Sequence, residues 1–246
     1  MKLTVIGCSP AWPNPGSAHS GYLVEGPGLP DGAGSLLLDC GPGVLARLRE
    51  RGGWPQLDAI AITHFHLDHW GDLVPWVWGS LYWSGGRPPR PELWVPTGGR
   101  AILEEFGGRL GFPDMFDRVF VVSEYEAGIP FETAGFTITG LRVPHYTLEA
   151  HGFRVTDGSR TLAYSGDSAP ADELAEVARD ADLFLCEATL ADGASDGPDL
   201  RGHLALDEAE AAFADSGAKR LIVIHRPVEL ASEGVELAQD GLVVEF

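Results

Sequence analysis

Thr63-His64-Phe65-His66-Leu67-Asp68-His69 stands directly behind the apolar run Ala59-Ile60-Ala61-Ile62. A short apolar run of this kind reads as a buried strand, so the polar cluster begins where the strand ends. In an extended turn alternate residues share a side, which lets His64 and His66 converge on one point. Asp68 and His69 fall where the chain curls into a helix, and they can face a second point nearby. Three imidazoles and a carboxylate this close suit a divalent cation such as zinc, manganese or iron. The other reading is a polar turn at a strand end. Four donor groups at HxHxDH spacing favour the metal.

Outward from this cluster, Lys2–Cys8, Gly21–Glu25, Ser35–Asp39 and Leu93–Pro96 read as further strands of the first half. Val44–Arg51, Asp72–Trp83 and Gly99–Leu110 read as helices. In the second half the expected strands are Val119–Ser123, Phe136–Val143, Gly152–Thr156, Thr161–Ser165, Asp182–Cys186 and Arg220–Ile224. Ala171–Ala178 and Leu206–Asp215 read as helices between them. Strands thus dominate each half, with helices placed to pack outside sheets, an α/β pattern. No linker, tandem repeat or low-complexity stretch interrupts residues 1–246, which read as a single domain. The polar stretch Leu190–Gly202 reads as a loop between two candidate site segments.

The 36 acidic and 17 basic residues give a formal charge of −19. That balance disfavours a surface built to hold long nucleic acid, which needs a basic footprint. A small phosphorylated substrate stays compatible, because bound cations would invert the local charge. The three cysteines, Cys8, Cys40 and Cys186, each lie in or beside an apolar run and read as buried free thiols. Cys40, next to Asp39, is the candidate for a thiolate ligand. No secretory leader and no membrane-length apolar stretch is visible, so a cytoplasmic location is expected.

HxHxDH behind a buried strand resembles the metal motif of the metallo-β-lactamase superfamily. The resemblance runs over essentially the whole chain. His145, in Val143-Pro144-His145-Tyr146, stands at that family's third histidine. Asp167, in Tyr164-Ser165-Gly166-Asp167-Ser168, matches the bridging carboxylate, and His225, behind Leu221-Ile222-Val223-Ile224, matches the final histidine. The resemblance implies a four-layer αββα sandwich with its site at one edge of the two sheets. It implies two divalent ions, zinc before manganese or iron. His64, His66 and His145 would hold one, and Asp68, His69 and His225 the other, with Asp167 bridging. Asp39 resembles the acid that orients the histidines, or it starts the turn into Gly41-Pro42-Gly43.

Two further motifs narrow the branch. Cys186-Glu187-Ala188-Thr189 resembles the HEAT motif of ribonuclease Z-like phosphodiesterases, with Cys186 in place of the first histidine. Gly202-His203-Leu204-Ala205 resembles the histidine motif that follows it, where Ser-Thr often succeeds the histidine. The resemblance implies that Glu187 supports His203 as the proton donor to the leaving oxygen, a step an alkoxide needs. Asp68 would hold the attacking water, activated by the ions. Read alone, Glu187 could cap a strand and His203 could sit exposed at a helix start. Only 21 residues separate His145 from Asp167. The transfer-RNA-processing ribonucleases carry a long Gly/Pro-rich arm in that interval. The chain is therefore most similar to short, armless relatives, among them bacterial cyclic-nucleotide phosphodiesterases. Ser17-Ala18-His19-Ser20-Gly21-Tyr22-Leu23-Val24 also resembles that subgroup.

The expectation is a hydrolase for a small phosphodiester such as a cyclic nucleotide, acting away from membranes and long nucleic acids. The alternatives are a carboxylic ester or lactone hydrolase, a tRNA 3′-processing endonuclease, and a non-catalytic metal-binding module. A β-lactamase lacks the Glu187/His203 pairing, and a glyoxalase-like thioesterase carries a basic C-terminal extension not seen here. Trp70, Trp76, Trp78 and Trp83 could stack a base, but core or homodimer packing is favoured. Arg201 and Arg226 could meet phosphate oxygens or be surface charge. His19 and His151 read as structural before catalytic.

Overall fold

The computed structural model describes residues 1–26, 34–197, 200–232 and 234–246. The Gly/Pro loop expected between the second and third strands therefore lies almost wholly outside the described residues, as do two positions of the 190–202 loop.

The first sheet is built from β1 (Lys2–Gly7), β2 (Gly21–Glu25), β3 (Ser35–Leu38), β4 (Ala59–Ala61), β5 (Glu92–Pro96), β6 (Val121–Tyr125) and the C-terminal β13 (Val243–Glu245). Its order is β13-β1-β2-β3-β4-β5-β6. The second sheet holds β7 (Phe131–Thr133), β8 (Phe136–His145), β9 (Leu148–Thr156), β10 (Thr161–Tyr164), β11 (Leu183–Glu187) and β12 (Leu221–Ile224). Its order is β12-β11-β10-β9-β8-β7. The helices are α1 (Val44–Glu50), α2 (Leu67–Trp70), α3 (Leu73–Tyr82), α4 (Gly99–Arg109), α5 (Asp172–Ala178) and α6 (Leu206–Ser216).

Strand residues alternate in direction, and both faces of each sheet are apolar, so each strand feeds two cores. Leu36 and Leu38 of β3 meet Tyr164 and Leu185 between the sheets, while Leu37 joins Leu45, Leu73 and Trp76 under α1 and α3. On the other side Ile222 and Ile224 of β12 face the inter-sheet core, and Val223 turns outward to Leu174 and Ala209 of α5 and α6. Three cores thus separate four layers, the αββα sandwich that the resemblance implied.

The tryptophans belong to the outer core. Trp76 is fully buried, with Trp54 edge-on at 6.1 Å, and Trp83 lies 5.6 Å from Trp54. The packing reading of the cluster is the one the structure adopts.

β3 through β6 run parallel, as do β10 through β12. Their carboxyl ends gather at one edge of the sandwich, where loops of an open α/β sheet form ligand crevices. Several boundaries differ from expectation. β6 starts at Val121 because Val119 and Phe120 pack into the core first. β9 begins at Leu148 because it pairs with β8 from His145 onward around the two-residue turn Tyr146-Thr147. His151 therefore lies inside a strand, not at its start. β7 and β13 are three-residue edge strands with no periodicity to read. Among the described residues no helix is long and apolar enough to cross a membrane.

Candidate metal centre

The edge collects the chemistry from both sheets. Asp39 follows β3, His64 and His66 follow β4, and Asp68 and His69 ride on α2. His145 ends β8, Asp167 follows β10, Glu187 ends β11 and His225 follows β12. Asp39 and His225 adopt left-handed backbone at φ 58° and 52°, and Tyr146 beside His145 does so at 48°. Non-glycine residues in this region are uncommon, and they cluster where surrounding structure fixes a functional geometry.

Two donor groups form, each with its ligand-type atoms within 4.8 Å of one another: His64, His66, His145 and Asp167; and Asp68, His69, Asp167 and His225. Asp167 belongs to both. Its Oδ2 lies 3.8 Å from His64 Nε2, 3.2 Å from His69 Nε2 and 3.6 Å from His225 Nε2. Asp68 Oδ2 stands 3.2 Å from His225 Nε2 and 3.5 Å from His69 Nε2. His145 Nε2 and His66 Nδ1 are 2.8 Å apart.

The far side of most rings is already used. His69 Nδ1 donates to Asp39 Oδ2 at 2.7 Å, and His145 Nδ1 donates to the Gly202 carbonyl at 2.6 Å. Thr63 Oγ1 gives its proton to Asp39 Oδ2 at 2.9 Å, so it accepts from His64 Nδ1 at 3.0 Å. Thr189 Oγ1 donates to Glu187 Oε2 at 2.7 Å and accepts from His225 Nδ1 at 2.8 Å. A neutral imidazole that donates from Nδ1 carries its lone pair on Nε2. All four of these histidines thus turn an Nε2 lone pair toward the centre.

His145 Nε2 approaches His66 and His225 Nε2 approaches Asp68, but the other two lone pairs meet no hydrogen-bond partner among the described residues. His64 Nε2, His69 Nε2 and Asp167 Oδ1 are buried without a hydrogen-bond partner among the described residues. Each such group costs roughly 1–3 kcal/mol. Divalent cations would meet them, and the donor set suits such ions.

The electrostatics agree with a site made for cations. Burial drives the Asp167 carboxyl upward, yet the neighbouring His225 and His69 hold it well below the usual carboxylate range. Burial keeps His64 neutral, well below the ordinary imidazole value.

A third group adjoins the second. His203 Nδ1 donates to Glu187 Oε1 at 3.0 Å, and its ring stacks on His225 at 5.6 Å. Glu187 is fully buried and also accepts from the Ser168 and Thr189 amides at 2.8 and 3.2 Å. Burial alone would lower the His203 pKa, but the charge and hydrogen bond of Glu187, followed by Asp167, raise it to about 9.

The remaining candidates stand apart from the donor groups. His19 is buried beside the second group, its Nδ1 bonded to the Pro10 carbonyl at 2.9 Å. His151 packs edge-on to Tyr125 beneath the His64 turn. Neither arginine offers a free guanidinium. Arg201 is held by both oxygens of Glu208 at 2.7 Å. Arg226 bonds to the Ala188 carbonyl at 2.7 Å, to Ser232 Oγ at 2.7 Å and to the Ala231 carbonyl. All three cysteines are buried free thiols, and no cysteine joins a donor group among the described residues. Burial pushes the Cys40 and Cys186 thiols well up and Cys8 up to about 12, and the thiolate-ligand reading of Cys40 falls because it joins no donor group among the described residues.

Sequence reading missed four supporting residues. Thr63 and Thr189 were visible as the flanks of the two motifs. Tyr164, whose hydroxyl donates to Asp39 at 2.6 Å, gave no signal. Neither did Asp196, which accepts from the Gly202 and His203 amides at 2.6 and 3.2 Å and from the Tyr146 hydroxyl at 2.6 Å.

The profile of the beta-lactamase superfamily domain matches residues 35–226. The chain belongs to that family. Rv1339 of Mycobacterium tuberculosis is 34% identical over 246 residues, covering 96% of this chain and 84% of its own length. The probable metallo-hydrolase YhfI of Bacillus subtilis is 32% identical over 231 residues, covering 92% and 87%. Its crystal structure superposes with a TM-score of 0.82 over 99% of both chains at 27% identity. A ribonuclease Z of Mycobacterium bovis is 27% identical over 245 residues, covering 92% and 85%. This member of the superfamily therefore has the metallo-β-lactamase fold and falls in the ribonuclease Z-like branch. It is a metal-dependent hydrolase with a divalent-metal site.

Proposed function

We propose that the protein is a phosphodiesterase for small phosphodiesters such as a cyclic nucleotide, working with two divalent ions, zinc foremost. The observation that carries this reading is the Glu187–His203 pair set against His225 and Asp167. A carboxylic ester or lactone can expel its leaving group from a tetrahedral intermediate with modest help. An alkoxide on phosphorus needs a proton, and a held imidazolium supplies one.

His64, His66 and His145 would hold one ion, Asp68, His69 and His225 the other, with Asp167 between them. Bound there, the ions would lower the pKa of a shared water and neutralise the non-bridging phosphate oxygens. Asp68, at the rim of the second group, would accept a hydrogen bond from the attacking water and orient it. Asp39, Thr63 and Thr189 keep the rings in the required tautomer. His203, fixed through Nδ1 by Glu187, turns Nε2–H to the leaving oxygen. Long nucleic acid is disfavoured by the −19 charge.

His203→Ala tests the assignment. Turnover of a cyclic nucleotide should fall by about 10²–10⁴-fold with metal content unchanged. A p-nitrophenyl ester, whose leaving group needs no proton, should be much less affected. Equal losses on both substrates would remove the proton-donor role. A panel of cyclic AMP, a lactone and a precursor tRNA separates this reading from its rivals.

A further inference from the structure

Beside His203 lies a cleft of about 540 Å³, lined by Ala11, Trp12, Tyr146, Leu190, Pro227 and Leu230, with Thr189 and His203 on its inner wall. That volume falls within the range of about 300–1,000 Å³ usual for ligand clefts. Because His203 faces it, the cleft is on the side where a leaving group would depart. Trp12 is 50% and Tyr146 37% exposed. These are large aromatic surfaces left uncovered next to a buried polar centre.

Away from His203 the charge of the walls is one-sided. No lysine or arginine lines the cleft, while Asp196 and Glu229 do. Arg201 and Arg226, the cations nearest in sequence to its lining, are turned to Glu208 and to loop carbonyls. The stretches 27–33, 198–199 and residue 233 contain no basic residue. A leaving group bearing another phosphate or a carboxylate would meet Asp196 and Glu229, and the one cation on the lining, the His203 imidazolium, is already paired with Glu187. A flat, uncharged one would cover Trp12 and Tyr146.

We propose that this cleft is a leaving-group subsite for an uncharged aromatic moiety, with Trp12 as its specificity-determining residue and Glu229 as the charge that excludes anions. The proposal rests on the phosphodiesterase reading for its side of the reaction, but the subsite can be probed without turnover.

Methyl p-nitrophenyl phosphate and its ring-carboxylated analogue share a reaction centre and differ by one remote charge. The metal-loaded enzyme should favour the ester with the uncharged ring by about tenfold in kcat/KM, and Glu229→Gln should narrow that ratio. Trp12→Ala should lose about tenfold on the ester with the uncharged ring, through KM with kcat nearly constant, as expected for removal of one stacking surface. Trp12→Phe should keep most of the activity. Adenosine, titrated against wild type and Trp12→Phe, should quench fluorescence saturably only where Trp12 is present. Equal kcat/KM on the two esters, or no quenching, overturns the subsite. Quenching without hydrolysis of either ester overturns the phosphodiester reading and leaves the subsite standing.

Discussion

The two donor groups share Asp167 but are held in different ways. In the second, His69 leans on Asp39 and His225 on Thr189, and those supports are themselves bonded to Tyr164, Thr63 and Glu187. In the first, His64 leans on Thr63 and His145 on a loop carbonyl. His66 is half-buried and, among the described residues, its ring has no hydrogen-bonding partner beyond His145. The second group is thus rooted in buried side chains of both sheets, and the first keeps one ring free to move. A rigid group holds an ion tightly, while a looser one can change its coordination as substrate arrives. On the two-ion proposal, an ion at His64, His66 and His145 would be the one to exchange more readily.

The largest effect should come from the residue that makes the comparison possible. Asp167→Ala removes the only side chain common to both groups, and turnover should fall by at least about 10³-fold with loss of bound metal. Elemental analysis after gel filtration, alongside turnover, checks both. Two ions retained at full activity would break the two-group description.

Asp39→Asn keeps the shape but removes the charge behind His69, so chelator competition should show metal affinity down roughly 10–100-fold, mostly at the second group. If the first group's ion is the one lost, the asymmetry is drawn the wrong way round. Thr189→Val should cost less, about tenfold in affinity or turnover, because it deletes one hydroxyl linking His225 to Glu187.

How much of this the sequence disclosed follows from distance along the chain. His64, His66, Asp68 and His69 are local, so their spacing could be read directly. His145, Asp167 and His225 are distant in sequence and came only from the resemblance to the superfamily, with their places behind strands as a check. Tyr164 was not, because its tie to Asp39 spans 125 residues and a buried tyrosine looks like any other core residue. Asp196 was read as part of a polar loop, and only the folded path shows it holding two amides of the His203 segment. Arg201 and Arg226 were open between substrate contact and surface charge. Both are instead internal ties, since a guanidinium satisfies several carbonyl or carboxylate oxygens at once.

The smallest effect is expected far from the centre, at a carboxylate held by flexible partners. Burial would raise the Asp182 pKa, but Lys219 and Arg160 with the Thr161 amide bring it down to about 2. Its contribution to stability is complete above the ordinary carboxylate range and is lost as pH falls from there through about 2. Lys219 and Arg160 are 66% and 49% exposed. After solvent screening the contribution should be only about 1 kcal/mol. Urea melts of Asp182→Asn and wild type should differ by that amount at neutral pH and converge as the solution is acidified. A constant gap down to acid pH would assign the loss to packing.

The donor groups draw on residues 64–69 from the first sheet and on 145, 167 and 225 from the second. An ion bound there is a crosslink between two halves of the chain that meet only after long loops have closed. Metal occupancy and domain integrity are therefore linked equilibria: the native state gains about 2.7 kcal/mol at free metal 100 times its dissociation constant. A melting temperature for this protein is a joint property of the chain and the metal buffer around it.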